Sequence, residues 1–373
     1  MIYLDNAATT KPDGEILKKN ADLYDENFFN PSALYRGGLD VKSRIESARE
    51  KINAYFNKNY ETVFTSCGSE ADNTVILPYA KRGNIVTTAG EHSAVYETFK
   101  ALKARGADVR FAPIDKCGRV IKEKLLDLID QKTSLVTVVH VNNETGGIND
   151  INDLAKAVKA KNPSTIFHSD GVQAFGKLPY RIDLLSVDAY SVSAHKINGV
   201  KGVGALIRKK TLTLPPLIFG GGQEFNLRSG TENAFGIAVF GDAAEEKRLK
   251  IQDNYLKICE IKNKFLNYLD FKNIKLISDE NCSPYVISLS AEGLRGEVVQ
   301  HMLEEFGIII GTGSACSSRH RHSRVLQECG YSDKVLDGAL RISFCSATTE
   351  QDALFCAEKL NECVKKLKGV MYK

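Results

Sequence analysis

Apolar residues are distributed along the chain in two patterns. Seven short runs rich in β-branched side chains stand at residues 61–66, 85–88, 109–112, 135–141, 165–169, 189–193 and 203–207. They are nearly continuous rather than alternating, as expected for strands covered on both faces of a parallel sheet. Between several of them, as at 93–105 and 151–160, apolar positions recur at helical spacing. Strands and helices in alternation predict an α/β fold built on a large, doubly wound, seven-stranded, mainly parallel sheet.

The texture changes after about residue 240. Residues 243–269 are highly charged, and Ile258, Ile261, Phe265 and Tyr268 recur at intervals of three, four and three, which predicts one amphipathic helix. We place a domain junction near residue 250. A large domain of residues 13–249 is expected beside a smaller α+β domain made of 1–12 and 250–373.

Composition narrows the function classes. The 50 Lys and Arg and 46 Asp and Glu leave a net charge of +4 spread over 373 residues, so direct nucleic-acid binding is not expected. No apolar run approaches the roughly 18 residues of a membrane span. The N-terminus, Met1-Ile2-Tyr3-Leu4-Asp5, has no basic segment leading into an apolar one, and a cytoplasmic location is expected. Nine cysteines include no Cys-x-x-Cys pair, which argues against a disulfide framework or a zinc ribbon. No metal site is expected.

In α/β sheets, ligands bind beyond the carboxyl ends of strands. Cys67-Gly68-Ser69-Glu70 follows one strand, where a helix start and the Ser69 hydroxyl suit a phosphate; a plain N-cap at Ser69 fits equally well. Asp170-Gly171-Val172-Gln173 follows another. Its carboxylate suits a protonated ring nitrogen and its amide a ring oxygen, while a helix N-cap or a His168/Asp170 metal pair are the alternatives. Ser193-Ala194-His195-Lys196 follows a third, and a lysine desolvated there can form a Schiff base. Ser193 and His195 are spaced to face an anion together. In the C-terminal part, Gly311-Thr312-Gly313-Ser314-Ala315-Cys316-Ser317-Ser318 surrounds Cys316 with small residues, and Arg319, His320, Arg321 and His322 follow. Neighbouring cations favour a thiolate, so Cys316 is the one cysteine predicted to be reactive.

Seven segments carry a resemblance. Tyr3-Leu4-Asp5-Asn6-Ala7-Ala8-Thr9-Thr10, Asn30-Pro31-Ser32, Glu91-His92, Val141-Asn142-Asn143-Glu144, Ser193-Ala194-His195-Lys196, Arg228-Ser229-Gly230-Thr231 and Gly313-Ser314-Ala315-Cys316 follow one another as in the NifS/IscS-type cysteine desulfurases of the class V aminotransferase family. From Tyr3 to about Thr349 the chain resembles that family. The resemblance implies a pyridoxal 5'-phosphate (PLP) transferase of fold type I. It implies that Lys196 holds the cofactor as a Schiff base, Asp170 pairs the pyridinium nitrogen, His92 stacks on the ring, and Gln173 and Asn143 lie against it. Gly68, Ser69, Ser193 and His195 would hold the phosphate, joined by Thr231 from the neighbouring subunit of a homodimer. Arg341 would clamp the carboxylate of the substrate, L-cysteine.

In that chemistry Lys196 moves the Cα proton and the Cys316 thiolate attacks the substrate sulfur. L-alanine leaves, and the persulfide on Cys316 passes to an acceptor protein, either an iron–sulfur scaffold or a tRNA-thiolation enzyme. A selenocysteine lyase or another class V aminotransferase or lyase is the alternative reading; a transaminase has no need of Cys316. Tyr35, Cys67 and Cys345 depart from the family pattern of His, Gly or Ala, and Gly. Residues 317–324 lack the family's proline and carry two His and three Arg, whose charge suits thiolate formation, an acidic partner or plain solvation. The chain ends at Lys373, short of the tail many members use to dock a scaffold.

Overall fold

A computed structural model describes residues 1–179, 186–313 and 322–371. Cys316, His320 and Arg321 lie outside the described residues. After a short N-terminal strand, β1 (Ile2–Tyr3), come β2 (Tyr60–Thr65), β3 (Asn84–Thr88), β4 (Val109–Ala112), β5 (Thr133–Thr137), β6 (Ile166–Asp170), β7 (Ala189–Ser193) and β8 (Gly204–Lys209). These last seven form one sheet in the order β2-β8-β7-β6-β5-β3-β4. Only β8 runs against its neighbours; the other pairings are parallel.

The continuous apolar runs are explained by the two faces they serve. Successive strand residues point to opposite sides, and Phe64, Val86, Val136 and Ile207 enter one core while Val63, Ile85, Leu135 and Leu206 enter another. The first core is covered by helices Arg36–Asn53, Ile151–Lys161 and Ala234–Leu249, the second by Gly68–Tyr79 and Ser93–Ala104.

The C-terminal part holds β9 (Lys275–Leu276), β10 (Val286–Ser290), β11 (Ile308–Ile309), β12 (Gly311–Thr312) and β13 (Ala339–Ser343). Four of these make a sheet in the order β12-β13-β10-β9, and β11 pairs in parallel with β1. A third core joins Leu4 to Ile258, Phe265, Ile287, Ile342 and Leu360. Among the described residues no helix is long and apolar enough to cross a membrane.

Two expectations are corrected. The run 135–141 ends its strand at Thr137, because the Val139 N–H turns to the Glu91 carboxylate at 2.9 Å. Residues 243–269 form two helices, Ala234–Leu249 and Ile251–Tyr268, parted at Lys250, whose φ of −114° and ψ of 11° leave the helical region. Ile258, Ile261 and Phe265 are buried as the periodicity required, whereas Tyr268, on the last turn, is half exposed.

Candidate active site

The carboxyl ends of β2, β5, β6 and β7 surround a cavity of about 310 Å³, closed by Ala7 and Ala8 from the N-terminal segment and Arg341 from β13. Lys196 ends a single 3-10 turn after β7, and its Nζ donates to the carbonyls of Ala7 at 2.6 Å and Ala8 at 2.7 Å. Asp170, the last residue of β6, accepts the Val172 N–H at 2.9 Å. That bond stabilises a local turn instead of the helix N-cap that was one alternative. Burial pushes the Asp170 carboxyl up, while His92 and Lys196 pull it down. Both Asp170 and Lys196 line the same cavity.

Behind Asp170, His168 Nε2 lies 2.9 Å from Ser191 Oγ and 3.6 Å from Asp72 Oδ1. Burial lowers the His168 pKa to about 3, so the ring is neutral, and it turns toward Ser191 and Asp72 rather than forming the metal pair with Asp170. Asp72 is held well above the usual carboxylate range, first by burial and then by the charge of Asp170.

The helix Gly68–Tyr79 opens onto the cavity. Its N-cap is Cys67, not Ser69, and no cap side chain takes up the first-turn N–H groups. A Cβ at Gly68 would stand 2.9 Å from Val172 Cγ2, so glycine keeps the cradle open. Ser69, Ser193 and His195 line the same cavity as Gly68. His195 Nδ1 lies 3.2 Å from Thr9 Oγ1, and burial, then the Lys196 charge, lower its pKa to about 4. An anion here meets neutral hydrogen-bonding groups and helix N–H dipoles. The free helix start, the lysine and the carboxylate together fit a phosphorylated, aldehyde-bearing pyridine.

In the same cavity Arg341 donates to the Asn143 carbonyl at 3.1 Å and to Asp5 Oδ1 at 2.8 Å, while among the described residues its buried Nε has no partner. Gln173 donates to the Ala7 carbonyl at 2.9 Å and accepts from buried Lys177 at 2.8 Å. Burial lowers Lys177 to about 7. His92 caps the helix Ser93–Ala104 by accepting the Ala94 N–H at its Nδ1, and burial lowers its pKa.

Eleven of the twelve sequence-predicted site residues lie within the described residues, and ten of them line this one cavity. Thr231 is the exception, being exposed and outside its own chain's cavity. Cys316 lies outside the described residues; from His322 onward the chain is anchored by defined contacts. Ser323 donates to the Glu144 carboxylate, Arg324 donates to the carbonyls of Ala89 and Glu91, and the Arg324 guanidinium sits 3.6 Å over the Tyr96 ring. His322 Nε2 lies 2.8 Å from Asp337 Oδ1. For His322 and Arg324 this replaces the solvated-surface reading with defined partners.

Sequence reasoning assigned no role to Ala7, Ala8, Asp5, Asp72 or Lys177. The N-terminal motif was a signal that its segment mattered, but nothing local places Ala7 beside a lysine 189 positions away.

The aminotransferase class-V family model matches residues 2–354. The chain is 35% identical over 383 residues to a protein named cysteine desulfurase IscS from Dictyoglomus turgidum, spanning 99% of this chain and 96% of that one. It is 36% identical over 376 residues to the IscS of Clostridium botulinum strain Hall, spanning 98% and 94%. A solved NifS-like protein superposes with a TM-score of 0.91 at 34% identity, covering 98% of this chain and 99% of that one. The matches run through the strand-end loops that build the cavity, and the chain belongs to the class-V aminotransferases, among the PLP-dependent cysteine desulfurases.

Proposed function

We propose that this enzyme takes sulfur from L-cysteine, releases L-alanine, and carries the sulfur as a persulfide on Cys316 to an acceptor protein of iron–sulfur assembly or tRNA thiolation. One observation carries the reading: Lys196, Asp170 and Arg341, from three separate elements, line a single cavity. Bound PLP supplies an electron sink for negative charge developing at the substrate Cα.

The residues divide the remaining work. Lys196 anchors the cofactor and Asp170 holds its ring nitrogen protonated. His92 would hold the ring, together with Gln173 and Asn143, all three lining the cavity. Gly68, Ser69, Ser193 and His195 bind the phosphate. Arg341 orients the substrate carboxylate, its Nε, which has no partner among the described residues, supplying a donor that needs no rearrangement. The Lys196 amine takes the Cα proton and later delivers one to the product. The Cys316 thiolate attacks the substrate sulfur, so that an S–S bond forms as the S–Cβ bond breaks. The electron pair remains with the carbon fragment, which takes up a proton and leaves as alanine.

Thr231 is read as completing the phosphate site of a second copy, and the working unit as a homodimer; its exposure outside its own cavity supports this. The division into 13–249 and 1–12 with 250–373 is supported by Leu4 packing in the C-terminal core. A cytoplasmic location is supported by the eight described cysteines, all free.

The test measures alanine from L-cysteine and from L-selenocysteine in the wild type and Cys316→Ser. Alanine from L-cysteine is expected to fall by about a hundredfold or more in the variant with the cofactor retained. An unimpaired variant, or wild-type turnover of selenocysteine alone, would overturn the reading.

A further inference from the structure

Outside the cavity, three other ligating side chains converge where the large sheet's loops meet the small sheet. Cys117 lies in the turn after β4, and Asp279 and Cys282 lie between β9 and β10. Their two sulfurs and a carboxylate oxygen all lie within 4.8 Å of one another. Cys117 and Cys282 are buried, and the cluster is the only group of this kind among the described residues. Two soft thiolates and a carboxylate match the donor set of a four-coordinate d10 dication, with one position left for water or a carbonyl.

The surroundings hold these donors in place. Arg119 donates to both carboxylate oxygens of Asp279, at 3.2 and 2.5 Å, and through Nε to Asp115 at 2.8 Å. Asp115 in turn accepts the Cys117 N–H at 2.8 Å. Ligand-bearing segments from both sides are thus fixed by one guanidinium, the kind of outer-sphere support that metal ligands require.

A second observation points to negative charge at the cluster. Lys262, on the helix Ile251–Tyr268, is only 6% exposed and donates to the carbonyls of Cys282 at 3.1 Å and Asp279 at 3.5 Å. Among the described residues no carboxylate pairs with it. A buried ammonium is costly without a compensating charge. Two thiolates and one carboxylate with a dication leave a single net negative charge, which Lys262 balances, while Arg119 and Asp115 neutralise each other.

We propose that Cys117, Asp279 and Cys282 bind Zn²⁺ and so tie the large sheet's loop to the small sheet, at a site distinct from the desulfurase centre. Binding releases the two thiol protons and forms two Zn–S bonds and one Zn–O bond, with no change of oxidation state. This departs from the sequence expectation of no metal site, which rested on the absence of a Cys-x-x-Cys pair; here the two cysteines are 165 positions apart in sequence.

The holoenzyme, stripped with a chelator, is given excess zinc chloride, exchanged into metal-free buffer and assayed for zinc per chain and melting temperature. The wild type and Cys316→Ser are expected to retain one zinc per chain and to melt higher with it. Cys117→Ser and Cys282→Ser are expected to lose at least nine tenths of that zinc and the melting shift. Asp279→Asn, which keeps the shape of the side chain, is expected to weaken zinc retention about tenfold and serves if a cysteine variant does not fold. No retained zinc in the wild type, zinc equal to the wild type's in Cys282→Ser and Asp279→Asn, or a Cys117–Cys282 disulfide in non-reducing peptide maps would each overturn the proposal.

Discussion

Lys196 meets two backbone carbonyls, and Asp170 sits one strand away with its carboxyl raised by burial; the proposed chemistry depends on this pair. Replacing Lys196 with Ala is expected to abolish borohydride-stable cofactor attachment and lower alanine formation by about a hundredfold or more; a labelled peptide elsewhere, or retained turnover, would contradict the role given to it. Glu91 offers a pH test. One of its oxygens accepts from Thr88 at 2.7 Å and from Val139 N–H at 2.9 Å, the other is buried with no partner among the described residues, and burial pushes the carboxyl up to about 8. Between the ordinary value of 4.5 and about 8 the folded chain keeps a proton that the unfolded chain releases, so stability is present below that window and lost as pH rises through it. Glu91→Gln, neutral throughout, is expected to gain in melting temperature relative to the wild type as pH rises from about 5 to about 8. Parallel curves would refute this. At this scale Lys196 and Asp170 were legible because each follows or occupies a strand end, whereas Arg341, in the middle of β13, was legible only through the resemblance. Asp72 was not, since its neighbour His168 lies 96 positions away, and Lys177 was not, since its burial rather than its spacing from Gln173 sets its charge.

The elements set how closely backbone and ligand approach. Gly68 opens the phosphate end, and Gly68→Ala is expected to weaken cofactor binding about tenfold, a cost of roughly 1.4 kcal/mol, with the fold intact by circular dichroism. Gly171 follows Asp170 directly against the buried Tyr190 ring, where a Cβ would overlap ring atoms and the hydroxyl. Gly171→Ala is expected to cost about 3 kcal/mol in denaturant unfolding, and a loss below about 1 kcal/mol would show that the ring moves aside freely. The strands were legible from their apolar runs because neighbouring residues enter two cores. Where β5 ends was not, because Val138–Val141 are as apolar as the strand and only the Glu91 carboxylate marks the departure. The break at Lys250 was hidden likewise, since the residues on both sides continue a helical pattern.

Over the whole molecule, distant segments complete the site. Asn6 donates to the Ser343 carbonyl at 2.8 Å across 337 positions, and Ser343 lies two residues from Arg341 on the same strand. Such closure is invisible to periodicity, and the family motifs signalled it only as an ordered set. The proposed homodimer is tested through Thr231. In mixed dimers of Lys196→Ala and Thr231→Val chains, the site that keeps its lysine has an intact Thr231 only if that residue serves the neighbouring subunit. Its cofactor affinity is then expected to match the wild type, whereas an affinity equal to that of Thr231→Val would place the residue in its own subunit's site. The most direct test of the whole account is a peptide mass map after a single exposure of the enzyme to L-cysteine. The account predicts one added sulfur atom on the peptide bearing Cys316, absent in Lys196→Ala. Alanine formed while Cys316 stays unmodified, or the sulfur carried on another cysteine, would contradict it.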